Sequence, residues 1–293
     1  MEPARTVRSK ISHFTELIKF EHSVFALPYV MMSLFLVFDG RIDMKTTFWV
    51  IVCMIGARSA AMSFNRIADY HHDKKNLRTS GRPLQTGKIK LAEAWVFTVV
   101  MALVFVLSSR MLNTLSFVLS FVALFVLFAY SFTKRLTWLS HWVLGICLGL
   151  GPVGVWVAVR SEITLLSVIL GTGVAFWVAG FDIIYSTQDM EFDKRENLRS
   201  VPSRFGIGTA LIISRLCHAV TVGMFLATGI VADMGLFYYT GLFCVSACLF
   251  YEHLILKRYG LSRVNEAFFV VNGAVSVLFF LFSVIDILFF RRF

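Results

Sequence analysis

The stretch RSAAMSFNRIADYHHDKKNLRTSGRPL, residues 58–84, joins the end of an apolar segment to a row of polar side chains and then to a basic loop. Asn65, Asp69 and Asp73 are spaced four residues apart, so on a helix they share one face, with about 6 Å between successive side chains. Asparagine and aspartate both offer oxygen ligands. The spacing therefore predicts a row of oxygen ligands, here named the first stripe.

A second stripe follows in DIIYSTQDMEFD, residues 182–193. Asp189 and Asp193 repeat the four-residue step, and Asp182 lies about two helical turns before them. Positions 69 and 73 correspond to positions 189 and 193, an offset of 120 residues. This offset predicts two pseudo-repeated four-helix units, each carrying its stripe on its second helix, with one further helix after them.

The composition excludes a soluble globular protein, because 57% of the 293 residues are hydrophobic and they occur in long runs. We expect an all-α integral membrane protein whose helices enclose a central cavity. A basic, interfacial or cytoplasmic N-terminus over residues 1–22 would precede a single transmembrane domain over residues 23–293. Nine runs approach the roughly 20 residues needed to cross a bilayer. They are residues 23–38, 46–64, 91–109, 114–132, 138–159, 163–185, 208–231, 235–256 and 266–290.

The distribution of basic residues predicts the orientation of the chain. Placing the N-terminus in the cytoplasm puts about 20 of the 28 lysines and arginines on that side, as the positive-inside rule requires. Both stripes and the basic loops beside them would then face the cytoplasm, in a membrane of the bacterial inner or plasma type. The net charge of +10 is explained by topology and lipid contact, so we expect no nucleic-acid partner.

Two carboxylate stripes beside basic loops suit magnesium and a phosphorylated substrate. Mg²⁺ prefers oxygen ligands and is commonly held by one or two carboxylates together with substrate phosphates. Lysine and arginine beside those carboxylates favour a diphosphate. A neighbouring apolar cavity adds a lipid tail, and the expected substrate is an isoprenyl diphosphate.

These segments resemble the UbiA superfamily of intramembrane prenyltransferases. The resemblance is carried by residues 65–73, by Arg82-Pro83-Leu84, by residues 130–135 and by residues 182–193, in the same order and with nine spans. It implies a Mg²⁺-dependent enzyme that ionises an allylic polyprenyl diphosphate and attaches its carbon chain to an acceptor within the lipid bilayer.

The resemblance also implies a role for individual residues. Mg²⁺ and diphosphate would be held by five residues of the stripes: Asn65, Asp69, Asp73, Asp189 and Asp193. The charge of the leaving group would be neutralised by Arg82, Lys134 and Lys194. For Lys134, a plain positive-inside role remains an equal alternative.

The run GFDIIY, residues 180–185, most resembles the branch that prenylates 4-hydroxybenzoate and related aromatic acids in quinone biosynthesis. Arg58 would pair with the carboxylate of the acceptor, while Asp182 and Tyr185 would orient its phenol. A structural role for Arg58, and an ion pair between Arg58 and Asp182 alone, are the alternatives.

One departure from the family pattern is Arg66, which stands where an acidic residue usually follows the first asparagine. It removes a possible metal ligand and keeps a dihydroxynaphthoate acceptor, in a menaquinone route, as a rival to 4-hydroxybenzoate and ubiquinone. An ion-coupled transporter is the alternative outside enzymes. It is disfavoured because most of the aspartates lie at one membrane edge rather than at mid-membrane.

Overall fold

The computed structural model describes residues 2–19 and 23–290, and the regular secondary structure of these residues is entirely helical. The helices are α1 (Glu2–Leu17), α2 (Ser23–Val37), α3 (Met44–Ala68), α4 (Tyr70–Lys75), α5 (Leu91–Leu112), α6 (Thr114–Leu136), α7 (Ser140–Arg160), α8 (Leu165–Ser186), α9 (Met190–Arg195), α10 (Val201–Val231), α11 (Leu236–Tyr259), α12 (Val264–Glu266) and α13 (Asn272–Phe289). Short 3₁₀ turns span Thr187–Asp189 and Gly260–Arg263, and a π-helical segment spans Ala267–Val271.

Seven stretches of the described chain are long and apolar enough to cross a membrane: Met44–Ala68, Leu91–Leu112, Thr114–Leu136, Ser140–Arg160, Leu165–Arg195, Val201–Val231 and Leu236–Phe289. The last contains 54 residues and includes α11 and α13, and a shorter apolar helix spans Phe25–Val37. The prediction of an all-helical, membrane-spanning chain is confirmed for these residues. The nine spans, the repeat, the central cavity and the orientation stay predictions.

Several helix boundaries differ from those expected from hydrophobicity, and those of α3 and α10 are two examples. Helix α3 continues to Ala68 rather than residue 64, because its polar end keeps helical hydrogen bonding after the apolar run has stopped. Helix α10 begins at Val201 rather than residue 208, with a kink at Gly206, whose φ of 79° suits glycine. The extent of an apolar run alone therefore underestimates the length of such helices.

The chain divides into two compact units: Met1–Ser23 with Phe48–Phe132, and Val24–Thr47 with Thr133–Phe293. This division differs from the predicted four-helix units, because α2 belongs to the second unit. Within that unit the ring of Tyr29 on α2 is buried 5.1 Å from the ring of Trp177 on α8. Aromatic contacts of this kind are consistent with the place of α2 in the second unit.

In the first unit, α1 packs against α5 and the loop before it. Leu17, Leu84, Ile89 and Ala94 form a buried apolar cluster. The Phe14 and Phe97 rings lie 4.8 Å apart. These contacts fix the basic loop through two of its own side chains, Leu84 and Ile89.

In the second unit, α7 and α8 approach so closely that only glycine fits at several positions. A Cβ on Gly145 would lie 2.1 Å from the carbonyl oxygen of Ala175, and one on Gly149 would lie 2.4 Å from that of Gly171. Small residues allow this backbone approach in membrane helices. The close packing sets the position of the polar residues further along both helices.

Candidate active site

The first stripe lies at the end of α3 and in α4. Asp69 separates the two helices with φ −92° and ψ 8°, yet its N–H donates to the Asn65 carbonyl at 2.9 Å. The Asp73 N–H donates to the Asp69 carbonyl at 2.8 Å. The four-residue hydrogen-bonding step therefore continues through the break, and Asn65 and Asp69 share a face.

The side chain of Asn65 is oriented by two hydrogen bonds. Its Nδ2 donates to Asp69 Oδ2 at 3.3 Å and to Ser131 Oγ, on α6, at 3.5 Å. Because the amide nitrogen donates to these two oxygens, the amide oxygen is the atom that can act as a metal ligand. This is the orientation that an oxygen-ligand role for Asn65 requires.

The basic loop brings Arg82 onto Asp73. Arg82 Nη1 donates to Asp73 Oδ2 at 2.5 Å, and both side chains are largely buried. Thr79 Oγ1 donates to the Asp73 carbonyl at 3.0 Å, while the Arg82 N–H donates to the Thr79 carbonyl at 3.1 Å. A charge-assisted hydrogen bond thus holds this loop against α4.

Arg58 and Arg66, both on α3, bind the end of α1. Arg58 Nη2 donates to the Lys19 carbonyl at 3.0 Å, and Arg66 Nε donates to the Leu17 carbonyl at 3.4 Å. The C-terminal carbonyls of a helix attract cations, so Arg66 stabilises the end of α1, while Arg58 holds the turn that follows it. Arg66 thereby contributes to helix packing in this structure.

The backbone at Asp189 resembles that at Asp69, although Asp189 ends a 3₁₀ turn and Asp69 directly follows α3. Asp189 has φ −98° and ψ 3° and precedes the six-residue helix α9, as Asp69 precedes the six-residue helix α4. The next aspartate, Asp193 or Asp73, lies in that short helix and is buried. The two segments therefore share a local structure as well as an offset of 120 residues.

Asp193 is paired with Lys134. Its side chain is 2% exposed, and Lys134 Nζ lies 3.5 Å from Oδ2, an oxygen that has no hydrogen-bond partner among the described residues. The chain after α9 fixes the end of α6, because the Arg199 N–H donates to the Lys134 carbonyl at 2.6 Å. Arg199 Nη1 also donates to the Leu136 carbonyl at 2.5 Å.

Lys194 occupies a more exposed position than Lys134. Its Nζ lies 3.5 Å from Glu191 Oε1, one helical turn earlier, and both side chains are exposed. Exposed pairs of this kind contribute little to stability. The predicted contact of Lys194 with a leaving group stays a prediction.

Asp182 and Tyr185 lie on α8. Asp182 Oδ2 lies 2.7 Å from Nδ1 of His141, on α7. The Tyr185 ring is 4.2 Å from that of Phe268, which lies in turn 5.3 Å from the ring of Phe181. Asp182 therefore has a histidine partner that the sequence reasoning missed.

The available ligand atoms suit a metal ion whose coordination shell is completed by oxygens of the substrate. Among the described residues, no three His, Cys, Asp or Glu side chains are close enough together to hold a metal ion by themselves. Mg²⁺ needs only one or two carboxylates when phosphate oxygens supply further ligands. Within the first unit the oriented Asn65 amide is a suitable oxygen ligand for a metal of this kind, and within the second unit the buried Asp193 carboxylate is another.

His141, Ser131 and Arg199 were not predicted as site residues. Each meets its partner through tertiary packing, 41 residues from Asp182 in the case of His141. The one feature of the sequence that distinguishes His141 is that a histidine stands beside a long apolar run, residues 142–159. That feature alone does not distinguish a partner of Asp182 from an ordinary packed residue.

Comparisons with known proteins agree in family and in fold. A model of the UbiA prenyltransferase family matches residues 26–284. A 4-hydroxybenzoate octaprenyltransferase from Paraburkholderia phymatum is 32% identical over 235 residues, which are 80% of this chain and 82% of that protein.

Solved structures of UbiA homologues have a similar fold. A UbiA homologue from Aeropyrum pernix K1 superposes with a TM-score of 0.83 at 30% identity, covering 92% of this chain and 98% of the other. A UbiA homologue from Archaeoglobus fulgidus, bound to GPP and Mg²⁺, superposes with a TM-score of 0.73 at 20% identity, covering 94% and 99%. The chain is an integral membrane protein with transferase activity, and it belongs to the UbiA prenyltransferase family.

Proposed function

We propose that this enzyme transfers a polyprenyl chain from an isoprenyl diphosphate to the ring of 4-hydroxybenzoate, in a Mg²⁺-dependent reaction of quinone biosynthesis. The observation that carries the proposal is the matched pair of stripes. In each, an aspartate breaks a helix, a six-residue helix follows, and the buried aspartate of that helix meets a cation, Arg82 or Lys134.

Asn65, Asp69, Asp73, Asp189 and Asp193 would hold Mg²⁺ and, through it, the diphosphate. The bound metal supplies Lewis-acid stabilisation of the departing diphosphate. Support comes from the ligand chemistry of these side chains and from the fold of the Archaeoglobus fulgidus homologue, which is described with GPP and Mg²⁺. The cytoplasmic orientation of both stripes is part of the proposal.

Arg82, Lys134 and Lys194 would neutralise the negative charge that develops as the carbon–oxygen bond breaks. Such stabilisation is effective because the charges are already in place and partly shielded from water. Arg82 and Lys134 are the stronger candidates, since each contacts a buried aspartate. Lys194 would have to leave its exposed pair with Glu191.

Arg58 would bind the carboxylate of the acceptor, while Asp182 and Tyr185 would orient its phenol so that a ring carbon attacks the allylic cation. A 4-hydroxybenzoate octaprenyltransferase at 32% identity supports this acceptor class and a long prenyl donor. Loss of a ring proton restores aromaticity after the attack, so a strong base is unnecessary.

A dihydroxynaphthoate acceptor is the second candidate. The observation that favours it is Arg66, which stands where the family resemblance leads us to expect an acid and which donates a hydrogen bond to the Leu17 carbonyl. Both acceptors are aromatic acids with a phenolic hydroxyl. They differ in ring size, and the same residues could serve either one.

The experiment that tests the proposal offers both acceptors to the purified protein. The detergent-solubilised enzyme is supplied with Mg²⁺, a polyprenyl diphosphate and either 4-hydroxybenzoate or 1,4-dihydroxy-6-naphthoate, and products are identified by mass spectrometry. Prenylated 4-hydroxybenzoate is the expected product. Product from the naphthoate alone would favour the second candidate, and product from neither would contradict both.

A further inference from the structure

His141 is a fully buried histidine directly beside Asp182. Its side chain is 0% exposed, whereas that of Asp182 is 19% exposed, and Nδ1 lies 2.7 Å from Asp182 Oδ2. A ligand can therefore reach the carboxylate while the imidazole stays enclosed. Any influence of His141 on a bound molecule has to pass through Asp182.

The backbone fixes which nitrogen of His141 carries the proton. The Val201 N–H donates to His141 Nε2 at 3.2 Å, and a backbone N–H can act only as a donor. Nε2 is thus the nitrogen without a proton. The ring proton lies on Nδ1, which donates to Asp182 Oδ2.

Three helices hold this pair in place. His141 is on α7, Asp182 is on α8 and Val201 begins α10, where the Ser200 side chain accepts from the Ser203 N–H at 3.3 Å. At the glycines of α7 and α8 the two backbones are already in close contact, which fixes how near His141 comes to Asp182. The imidazole is consequently a rigid bridge between α10 and the Asp182 carboxylate.

We propose that His141 is a positioning residue that holds the Asp182 carboxylate in one orientation, toward the phenolic hydroxyl of the acceptor. The inference rests on the proposed function, because it assigns Asp182 an acceptor with a phenol. The phenol O–H donates to the carboxylate, which raises the electron density of the ring before it attacks. Without the Nδ1–H donor the carboxylate is free to rotate away.

Loss of this orientation should lower kcat rather than binding alone. Misplacement of a reacting group by about 1 Å can cost about 100-fold in rate. We expect His141→Leu to lower kcat by about 10- to 100-fold and to change the KM for the prenyl diphosphate little. His141→Gln should restore most of the loss, because an amide offers one donor and one acceptor in place of the two ring nitrogens.

A double-mutant cycle separates positioning from a general structural role. His141→Leu is measured in the wild-type protein and in Asp182→Ala, with thermal stability recorded for every variant. If His141 acts through Asp182, the leucine variant lowers kcat in the first background and not in the second. Equal losses in both backgrounds, or unchanged kcat in the first, would overturn the proposal.

Nitrogen NMR tests the pair without relying on activity. The protein is labelled with ¹⁵N-histidine, and the signal of His141 among the seven histidines is assigned by its loss in His141→Gln. A protonated Nδ1 whose shift changes in Asp182→Ala is expected; a protonated Nε2 alone would overturn the proposal. An inactive wild-type protein would contradict the proposed function and the role given to the pair, while the NMR result still decides the hydrogen bond.

Discussion

The Arg82 guanidinium lies on the Asp73 carboxylate, with Nη1 2.5 Å from Oδ2. The contact joins the basic loop to the first stripe, so Arg82 is placed where a diphosphate bound by that stripe would meet a fixed positive charge.

Replacement of Arg82 should affect the prenyl diphosphate far more than the acceptor. We expect Arg82→Gln to raise the KM for the prenyl diphosphate, or to lower kcat, by about 10-fold or more, since the departing diphosphate loses a charged donor. Steady-state kinetics with each substrate varied in turn measure the effect. Arg78→Gln, at an exposed position in the same loop, is the control, and equal effects of the two variants would contradict the assignment.

Replacement of Arg58 distinguishes acceptor binding from helix packing. Arg58 and Arg66 both donate to carbonyls at the end of α1, so a purely structural contribution should be similar for the two. We expect Arg58→Gln to raise the KM for the aromatic acid by about 10-fold or more, as loss of a charged hydrogen-bonding partner predicts. Arg66→Gln should leave that KM within about twofold. Matching kinetic changes in both variants would show that Arg58 only packs.

The glycine contacts between α7 and α8 should be intolerant of a single methyl group. A Cβ at position 149 meets the Gly171 carbonyl oxygen at 2.4 Å, whereas a Cβ at Gly154 meets no atom within 4 Å. Gly149→Ala should therefore lower the melting temperature in detergent by several degrees, in keeping with an overpacking cost of about 1–3 kcal/mol. Gly154→Ala should be neutral or mildly stabilising, because alanine favours the helix. Equal melting temperatures would contradict the close approach.

A buried polar network in the second unit should contribute strongly to stability. Asn272 Nδ2 donates to Glu252 Oε1 at 2.8 Å and Trp177 Nε1 donates to Asn272 Oδ1 at 2.7 Å, with all three side chains fully buried. Asn272→Leu should lower the melting temperature markedly, because unpaired buried polar groups each cost about 1–3 kcal/mol. Glu252→Gln keeps an oxygen acceptor for Asn272 and should cost less. A tolerated leucine would show that the network is dispensable.

The sequence predicts what depends on local periodicity and misses what depends on tertiary contact. The four-residue spacing correctly brings Asn65 and Asp69 onto one face, where Asn65 Nδ2 reaches Asp69 Oδ2 at 3.3 Å. The backbone breaks at Asp69 and Asp189 were not predicted, because ordinary helical residues surround both positions. Arg58 was expected at the acceptor, but its contact with the Lys19 carbonyl depends on where α1 docks.

The packing of helices against one another was also not predictable from the sequence. The assignment of α2 to the second unit arises from aromatic contacts such as that of Tyr29 with Trp177, between residues far apart in the chain. The His141–Asp182 hydrogen bond likewise requires the close approach of α7 and α8, which no spacing along the chain encodes.

The measurement that tests the central claim most directly is Mg²⁺-dependent prenyl transfer to 4-hydroxybenzoate by the wild-type protein, Asp69→Ala and Asp189→Ala. These two variants remove the corresponding aspartate from each stripe, and folding is checked by detergent-phase gel filtration and thermal melting. We expect transfer by the wild-type protein that stops when Mg²⁺ is chelated, and loss of at least 100-fold in each folded variant, since the proposed function gives both stripes a role in holding Mg²⁺ and diphosphate. Full activity in both folded variants, or wild-type transfer that persists without Mg²⁺, would contradict the account.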